Sequence, residues 1–300
     1  MPWILITEQA LNGLQFGLML FLLAAGLTLV FGIMDMINLA HGSLYMLGAF
    51  LASSFVQLTG SFTAGVLLAI PATAALAMIL EISVLRTLYA RDHLSQVLAT
   101  FALILIINEV TRLVWGSDAA LPMPAALSGP VELLPGLRYP AYRLVIIAVG
   151  AAVAVLLYVL VTKTRVGMLV RAGASNREMA LAMGVNIKLL FTLVFGVGAA
   201  LCAVAGAMLA PLFAVQVGMG ENILILAFLV IVIGGIGSIR GALVGVVDTI
   251  GRAFLPILFG MFFQPRVASA AGPAIASVMI YLLMAVVLYF RPQGLFPARG

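Results

Sequence analysis

Apolar runs long enough to cross a lipid bilayer recur near residues 11–32, 64–82, 96–115, 143–162, 190–212, 222–239 and 273–290. Two less regular runs, near 37–58 and 241–262, carry glycines and polar residues. A hydrocarbon core about 30 Å thick takes roughly 20 apolar residues per helical crossing. Of the 300 residues, 64% are hydrophobic and 8% charged, whereas a soluble domain is about half apolar and about a quarter charged. A water-facing surface cannot be assembled from that inventory. The expected fold is all-α: a polytopic transmembrane helical bundle of about 8–9 membrane segments, broken or re-entrant helices included. Residues 1–300 form a single membrane domain in this reading. The longest polar-leaning interval, 115–142, is itself interrupted by prolines and leucines and leaves no room for a soluble catalytic domain.

The residues before Gly13 include Glu8 and no Lys or Arg, so the positive start of a secretory signal is missing. Residues 14–31 are accordingly read as a retained first helix. A single cysteine, Cys202, excludes an intrachain disulfide and a multi-thiolate metal site and is expected to be a small packing residue. The net charge of +5 records loop orientation in a membrane protein rather than affinity for nucleic acid. Placing Arg86, Arg91, Lys163, Arg165, Arg171, Arg177, Lys188, Arg240, Arg291 and Arg299 on one side leaves Arg112, Arg138, Arg143, Arg252 and Arg266 opposite or within the membrane. The larger group marks the cytoplasmic face, with the N-terminus outside and the C-terminus inside.

Polar residues concentrate between the first two apolar runs, where Asp35, Asn38, His41, Gly42 and Ser43 follow one another within a few positions. Exposed to lipid, such groups are costly, so a polar segment at membrane depth is covered by protein or lines a wet cavity. One reading is a broken or re-entrant helix on a solute pathway; the other is a tight cytoplasmic turn in which Asp35 or Asn38 caps the next helix. Metal binding at His41 is not expected, because His93 is the only other histidine and neither stands in a ligand cluster. Gly237, Gly241 and Gly245 recur every four residues, a packing stripe for a neighbouring helix or a smooth wall beside the path. The pairs Glu109 with Arg112 and Asp248 with Arg252 have spacings that let each neutralise itself on one helix face. Glu81 and Glu221, near the ends of their runs, are expected to reach the headgroup region.

The longest basic interval is 163–188. Within it residues 176–183 have helix-forming composition and Gly184 is a plausible helix stop. Met179, Leu181, Ala182 and Met183 beside Arg177 and Glu178 suggest a partner surface, the alternative being a solvated linker. No Gly-x-x-x-x-Gly-Lys-Ser/Thr loop, His-Glu-x-x-His or Gly-x-Ser-x-Gly occurs. Ser43 and His41, two apart, point to different faces of a helix and do not suggest a nucleophile with its base.

Three segments resemble the permease subunits of branched-chain amino-acid ABC importers, the LivH type. The first runs from Gly26-Leu-Thr-Leu-Val-Phe-Gly-Ile-Met through Ile37-Asn-Leu-Ala-His-Gly-Ser-Leu-Tyr-Met-Leu-Gly-Ala. The second comprises Thr164-Arg-Val-Gly-Met, Arg171-Ala and residues 176–186; the third is Ile233-Gly-Gly-Ile-Gly-Ser-Ile-Arg-Gly-Ala-Leu-Val-Gly. The likeness extends over the whole chain in segment order and length. It implies a transport subunit, not an enzyme, that forms half of a translocation pathway for branched-chain or related small amino acids across a bacterial inner membrane. The implied partners are a second homologous permease, two cytoplasmic ATPase subunits and an extracytoplasmic solute-binding protein. The chain itself would bind no cofactor, ATP and Mg being used by the ATPases.

Residues 163–188 would then be the cytoplasmic coupling loop, with Arg171, Arg177, Glu178, Ala180 and Gly184 as coupling candidates. Glu178, Met179, Ala180 and Gly184 partly match the importer pattern Glu-Ala-Ala followed by Gly six positions after the Glu. Met179 departs from it, and so does the lack of a proline at the usual distance. Pathway candidates are Asn38, His41, Gly42, Ser43, Gly237 and Gly241. Urea or a short amide is an alternative solute. A rival of another class is a secondary transporter working without ATPases, with Asp35, Glu109 and Asp248 as proton-coupling candidates.

Overall fold

The first helix, α1, covers Pro2–Met34, 33 residues, or about 50 Å at 1.5 Å per residue. It begins well before residue 14. Asn12 does not break it, because its side-chain oxygen accepts hydrogen bonds from the Tyr139 hydroxyl and the Arg143 guanidinium rather than competing for its own backbone. The computed structural model describes residues 2–234 except 35 and 37, and toward the C-terminus residues 275, 278, 281, 282 and 284–291. The expectations for Asp35, Gly237, Gly241, Gly245, Asp248, Arg252 and the run at 241–262 fall outside these residues.

Helix α2 spans His41–Thr59 and stops at Gly60, whose φ of 67° is left-handed. Helix α3, Phe62–Leu80, is capped by the Ser61 hydroxyl and continues without interruption into a π turn, Glu81–Leu85, and the single turn α4, Arg86–Leu88. Helix α5, His93–Trp115, starts on the carboxylate of Asp92, which accepts from the Ser95 N–H at 3.1 Å. The polar interval that follows holds strand β1, Asp118–Ala119, a 3-10 turn at Ala125–Leu127 and the hairpin β2, Pro130–Leu134, with β3, Leu137–Pro140. Helix α6, Ala141–Lys163, leads into α7, Arg165–Ser175, and α8, Arg177–Ala182. Helix α9 is Ile187–Leu209; β4, Val215–Gln216, pairs antiparallel with β1; and α10 is Met219–Gly234. Residues 284–290 are again helical.

Among the described residues six helices are long and apolar enough to cross a membrane: α1, α2, α3 with its extension, α5, α6 and α9. Helix α10 is apolar but shorter. This is the polytopic helical bundle expected from the apolar runs, with short β segments confined to the polar interval and the connection before α10.

Helix α9 is the central element, and nearly every residue from Leu190 to Leu209 is buried. Lipid tails are as apolar as the helices, so close packing of small residues has to hold such helices together. A side chain at Gly48 would meet Ala203 Cα at 2.5 Å, and one at Gly206 would meet the Tyr45 carbonyl at 2.2 Å. Those two glycines therefore set the α2–α9 distance.

The contacts also sort the helix ends. The C-termini of α1, α4 and α6, the α7–α8 segment and the start of α9 lie together, with Arg86, Arg91, Lys163, Arg165, Arg171, Arg177 and Lys188. The β2–β3 hairpin, the β1–β4 pair, Arg112, Arg138 and Arg143 lie at the other end.

Candidate functional site

The polar segment after α1 is a break enclosed by the bundle. His41, the first residue of α2, is fully buried, with Nε2 3.0 Å from the Cys202 Sγ. Its ring fits because Gly26 of α1 and Gly198 of α9 carry no side chains; a Cβ at Gly26 would meet His41 Nε2 at 3.0 Å. Gly26 lies about two helical turns before the end of α1, so α2 starts inside the bundle rather than at its face. Irregular backbone at such depth is tolerable only where protein encloses it, and Met36, Asn38 and Ala40 are all buried.

Asn38 organises the turn. Its Oδ1 accepts from the Ala40 N–H at 3.0 Å, and its carbonyl accepts from the His41 N–H at 3.4 Å, the self-bonding by which Asn replaces helix. Among the described residues, no hydrogen-bond partner meets the buried Asn38 amide nitrogen or His41 Nδ1. A Cβ at Gly42 would lie 2.2 Å from the Gly220 carbonyl of α10, so Gly42 permits the α2–α10 contact. Ser43 is buried one position further. The four pathway candidates among the described residues, Asn38, His41, Gly42 and Ser43, are thus enclosed by this chain, while Gly237 and Gly241 lie outside those residues. Cys202 packs as its small size suggested, and its neighbour is the His41 ring.

The basic interval 163–188 folds into two helices. Thr164 caps α7, its hydroxyl accepting from the Gly167 N–H at 3.2 Å. The Arg171 guanidinium donates to the Val161 carbonyl in the last turn of α6. Arg177 donates through Nε and Nη2 to the Ile33 carbonyl, at 3.1 and 2.7 Å, in the last turn of α1. Each arginine satisfies a carbonyl that a helix C-terminus leaves open and meets the negative end of its dipole. Helix α8 starts on Asn176, whose Oδ1 accepts from the Met179 N–H at 2.9 Å.

The end of α8 is a Schellman motif. Gly184, with φ of 86°, donates to the Leu181 carbonyl, and Val185 donates to the Ala180 carbonyl. The helix stop expected at Gly184 is therefore present. Ala180 is buried and Glu178 exposed, while Met179, Leu181 and Met183 are 60%, 63% and 80% exposed. Between α1 and this segment is a cavity of about 500 Å³ lined by Gly32, Ile33 and residues 174–178.

Sequence reasoning missed one cluster. Glu81 does not reach the headgroups; it is wholly buried. Its Oε1 accepts from Arg86 Nε at 3.2 Å and from the Tyr89 hydroxyl at 2.9 Å. Its Oε2 accepts from Arg86 Nη2 at 2.9 Å and from the Thr192 hydroxyl at 2.6 Å. Arg86 Nη2 also donates to Thr192 Oγ1 at 2.7 Å. The Tyr89 ring meets Phe191 edge-on at 5.4 Å, and the Arg177 guanidinium stands 5.3 Å over the same Phe191 ring. One continuous set of contacts thus runs from the end of α3 through α9 to α8 and α1. The usable signal was an acid near the end of an apolar run with Arg five and Tyr eight positions later.

Two other acids are exposed. Glu221 accepts from the Asn108 amide at 2.7 Å, and Glu109 pairs with Arg112 at 3.2 Å, the self-neutralising pair its spacing suggested.

A bundle of apolar helices, one broken within the protein, with a basic two-helix segment fastened to their ends, defines a multi-pass membrane protein of the permease type. The family model described as branched-chain amino acid transport system / permease component matches residues 9–288, and the chain belongs to that family. It is 30% identical over 306 residues to a high-affinity branched-chain amino acid transport system permease protein, BraD, of Pseudomonas aeruginosa, covering 96% of this chain and 94% of that protein. It is likewise 30% identical over 268 residues to LivH of Salmonella typhimurium, a permease protein of the same description, covering 83% of this chain and 86% of that one. A probable branched-chain amino acid transport permease protein, LivH, of Methanocaldococcus jannaschii is 25% identical over 292 residues, 92% of this chain and 88% of that protein. No solved structure matches. The protein is a permease component of a transport system, and it spans the membrane several times.

Proposed function

We propose that this chain is the permease subunit of an ATP-driven ABC importer and forms half of the pathway for branched-chain or related small amino acids across the inner membrane. A second, homologous permease supplies the other half. Two cytoplasmic ATPase subunits dock on residues 163–188, and an extracytoplasmic binding protein delivers solute at the end that carries the hairpin. The N-terminus is outside and the C-terminus cytoplasmic. The chain binds no cofactor; ATP and Mg belong to the ATPases.

The observation that carries this reading is the two-sidedness of α8. Its inner side reaches, through Arg177, the last turn of α1 and the Phe191 ring. Its outer side presents Met179, Leu181 and Met183, a group of apolar side chains that favours a protein partner. A push on the outer side is delivered directly to two membrane helices. The relatives' transport of branched-chain amino acids supports the choice of solute.

Reconstitution in liposomes tests the reading. Leucine uptake is expected only when the second permease, the ATPases, the binding protein and ATP are all present. Uptake by this chain alone, driven by an ion gradient, would replace the importer with a secondary transporter.

A further inference from the structure

The cluster around Glu81, whose carboxylate is wholly buried, is used by neither the pathway nor the docking reading. We propose that Glu81 is a positioning residue for transport: it locks the end of α3 to α9 so that motion of α8 reaches the membrane helices together. The inference rests on the importer reading and deepens it.

The geometry begins with the backbone. In an α-helix residues five apart are rotated by about 140° and do not face each other. At Glu81–Leu85 the chain makes a π turn, in which the Arg86 N–H donates to the Glu81 carbonyl. That turn stacks Arg86 over Glu81, and both carboxylate oxygens then receive the guanidinium. Local π turns inside helices are uncommon and are frequent at functional sites.

The remaining bonds cross between elements. Thr192, in the second turn of α9, donates to Glu81, and Tyr89 beyond α4 does the same. Tyr89 then places its ring on Phe191, the residue before Thr192, and Phe191 carries Arg177 on its face. Arg177 bridges one edge of the 500 Å³ cavity to hold the Ile33 carbonyl. The cavity leaves room for α8 to shift against α1. Through Tyr89 the Glu81 bonds hold a second contact on Phe191, so a displaced Arg177 moves α3 and α9 as one body. With the Glu81 carboxylate replaced by an amide, the guanidinium pairing that clasps the π turn is weakened, and with it the hold on Tyr89.

The test uses the full complex in liposomes with ATP and leucine as solute probe, with ATP hydrolysed and leucine taken up both measured. Two variants are compared with wild type. Glu81→Gln removes the charge, and Tyr89→Phe keeps the ring contact with Phe191 while deleting its bond to Glu81. Both are expected to raise the ATP consumed per leucine about tenfold, the order of one charge-assisted hydrogen bond. A residue with a merely structural role would lower hydrolysis and uptake in proportion and leave the ratio unchanged. If Glu81→Gln does not assemble, Tyr89→Phe decides. A wild-type ratio in assembled Tyr89→Phe overturns the inference while leaving the importer intact. Wild-type protein without ATP-driven uptake overturns the importer reading and this inference with it.

Discussion

Glu81 and Arg86 are joined twice: by a backbone bond from the Arg86 N–H to the Glu81 carbonyl, and by two guanidinium bonds, at 3.2 and 2.9 Å, to the Glu81 carboxylate. The two linkages support one another: the π turn brings side chains five residues apart into register, and the side-chain pair clasps that turn.

That relationship predicts an asymmetry in stability. Arg86→Ala leaves the Glu81 charge buried without its cation and is expected to destabilise the protein by about 3 kcal/mol, as when one partner of a buried ion pair is lost. Arg112→Ala breaks an exposed pair and is expected to cost less than about 1 kcal/mol. Thermal unfolding in detergent micelles measures both. Equal shifts would mean that the Glu81–Arg86 pair is held no more tightly than a surface contact.

Two glycines with opposite surroundings set a second expectation. Gly42→Val places atoms against the Gly220 carbonyl, where even a Cβ would lie at 2.2 Å, and should abolish the folded state. Gly32, in the last turn of α1, has open space around it. Gly32→Ala should stabilise α1 by about 0.5–1 kcal/mol, since alanine loses less backbone freedom in a helix. Fluorescence-detected size exclusion after a heat step would distinguish the two variants.

Cys202 should be silent toward thiol reagents in the folded protein. It is fully buried with His41 against its sulfur. A membrane-permeant maleimide is expected to label it only in parallel with unfolding. Cys202→Leu, which forces bulk onto the His41 ring and the adjoining Gly198 contact, should cost on the order of 1–3 kcal/mol. Cys202→Ser should cost less. Rapid labelling of native protein would show that the His41 enclosure opens.

The outer side of α8 should separate docking from folding. Met183→Glu changes a side chain that is 80% exposed and is expected to leave the melting temperature within about 1 °C, since surface substitutions shift stability by under about 0.5 kcal/mol. Co-purification of the ATPase subunits should fall at least about tenfold, the order of a lost hot spot. Gly184→Val differs: it strains a left-handed residue and loosens the Schellman motif, so both docking and the order of α8 should suffer. Pull-down and amide hydrogen exchange report the two effects separately.

Asp92 gives a pH dependence. The hydroxyl and N–H of Ser95 hold its carboxyl below the usual range. Its folded value is depressed, so the capping contribution is complete above the ordinary carboxylate range and is lost as pH falls through the folded value. Acid titration of wild type should therefore loosen the start of α5 in that low range, and Asp92→Asn should remove the step. Hydrogen exchange at residues 93–96 follows it.

The bundle was legible in the sequence because a spanning helix leaves a local signature: the runs near 64–82, 96–115, 143–162 and 190–212 became α3, α5, α6 and α9 within a few residues. Gly184 was legible for the same reason, since a left-handed stop is a property of one residue and its neighbours. Other features were not. Glu81 looked like a headgroup residue because nothing local announces that Thr192, far along the chain, completes its shell. Arg177 was legible as an orientation charge and a coupling candidate, but not as the group that holds the Ile33 carbonyl at the end of α1.

What the sequence determined by itself was the solvent: a composition this apolar dictates a lipid-embedded bundle, and hydrophobic periodicity dictates where its helices lie. Tertiary structure alone decided the depth at which α2 begins, which polar groups are enclosed, and which arginine seals which helix end. Most of those properties depend on pairing between segments far apart in the chain, as His41 with Cys202 and Arg177 with Ile33. Such pairing is set by the fit of glycines and the reach of side chains, and no one-dimensional pattern encodes it.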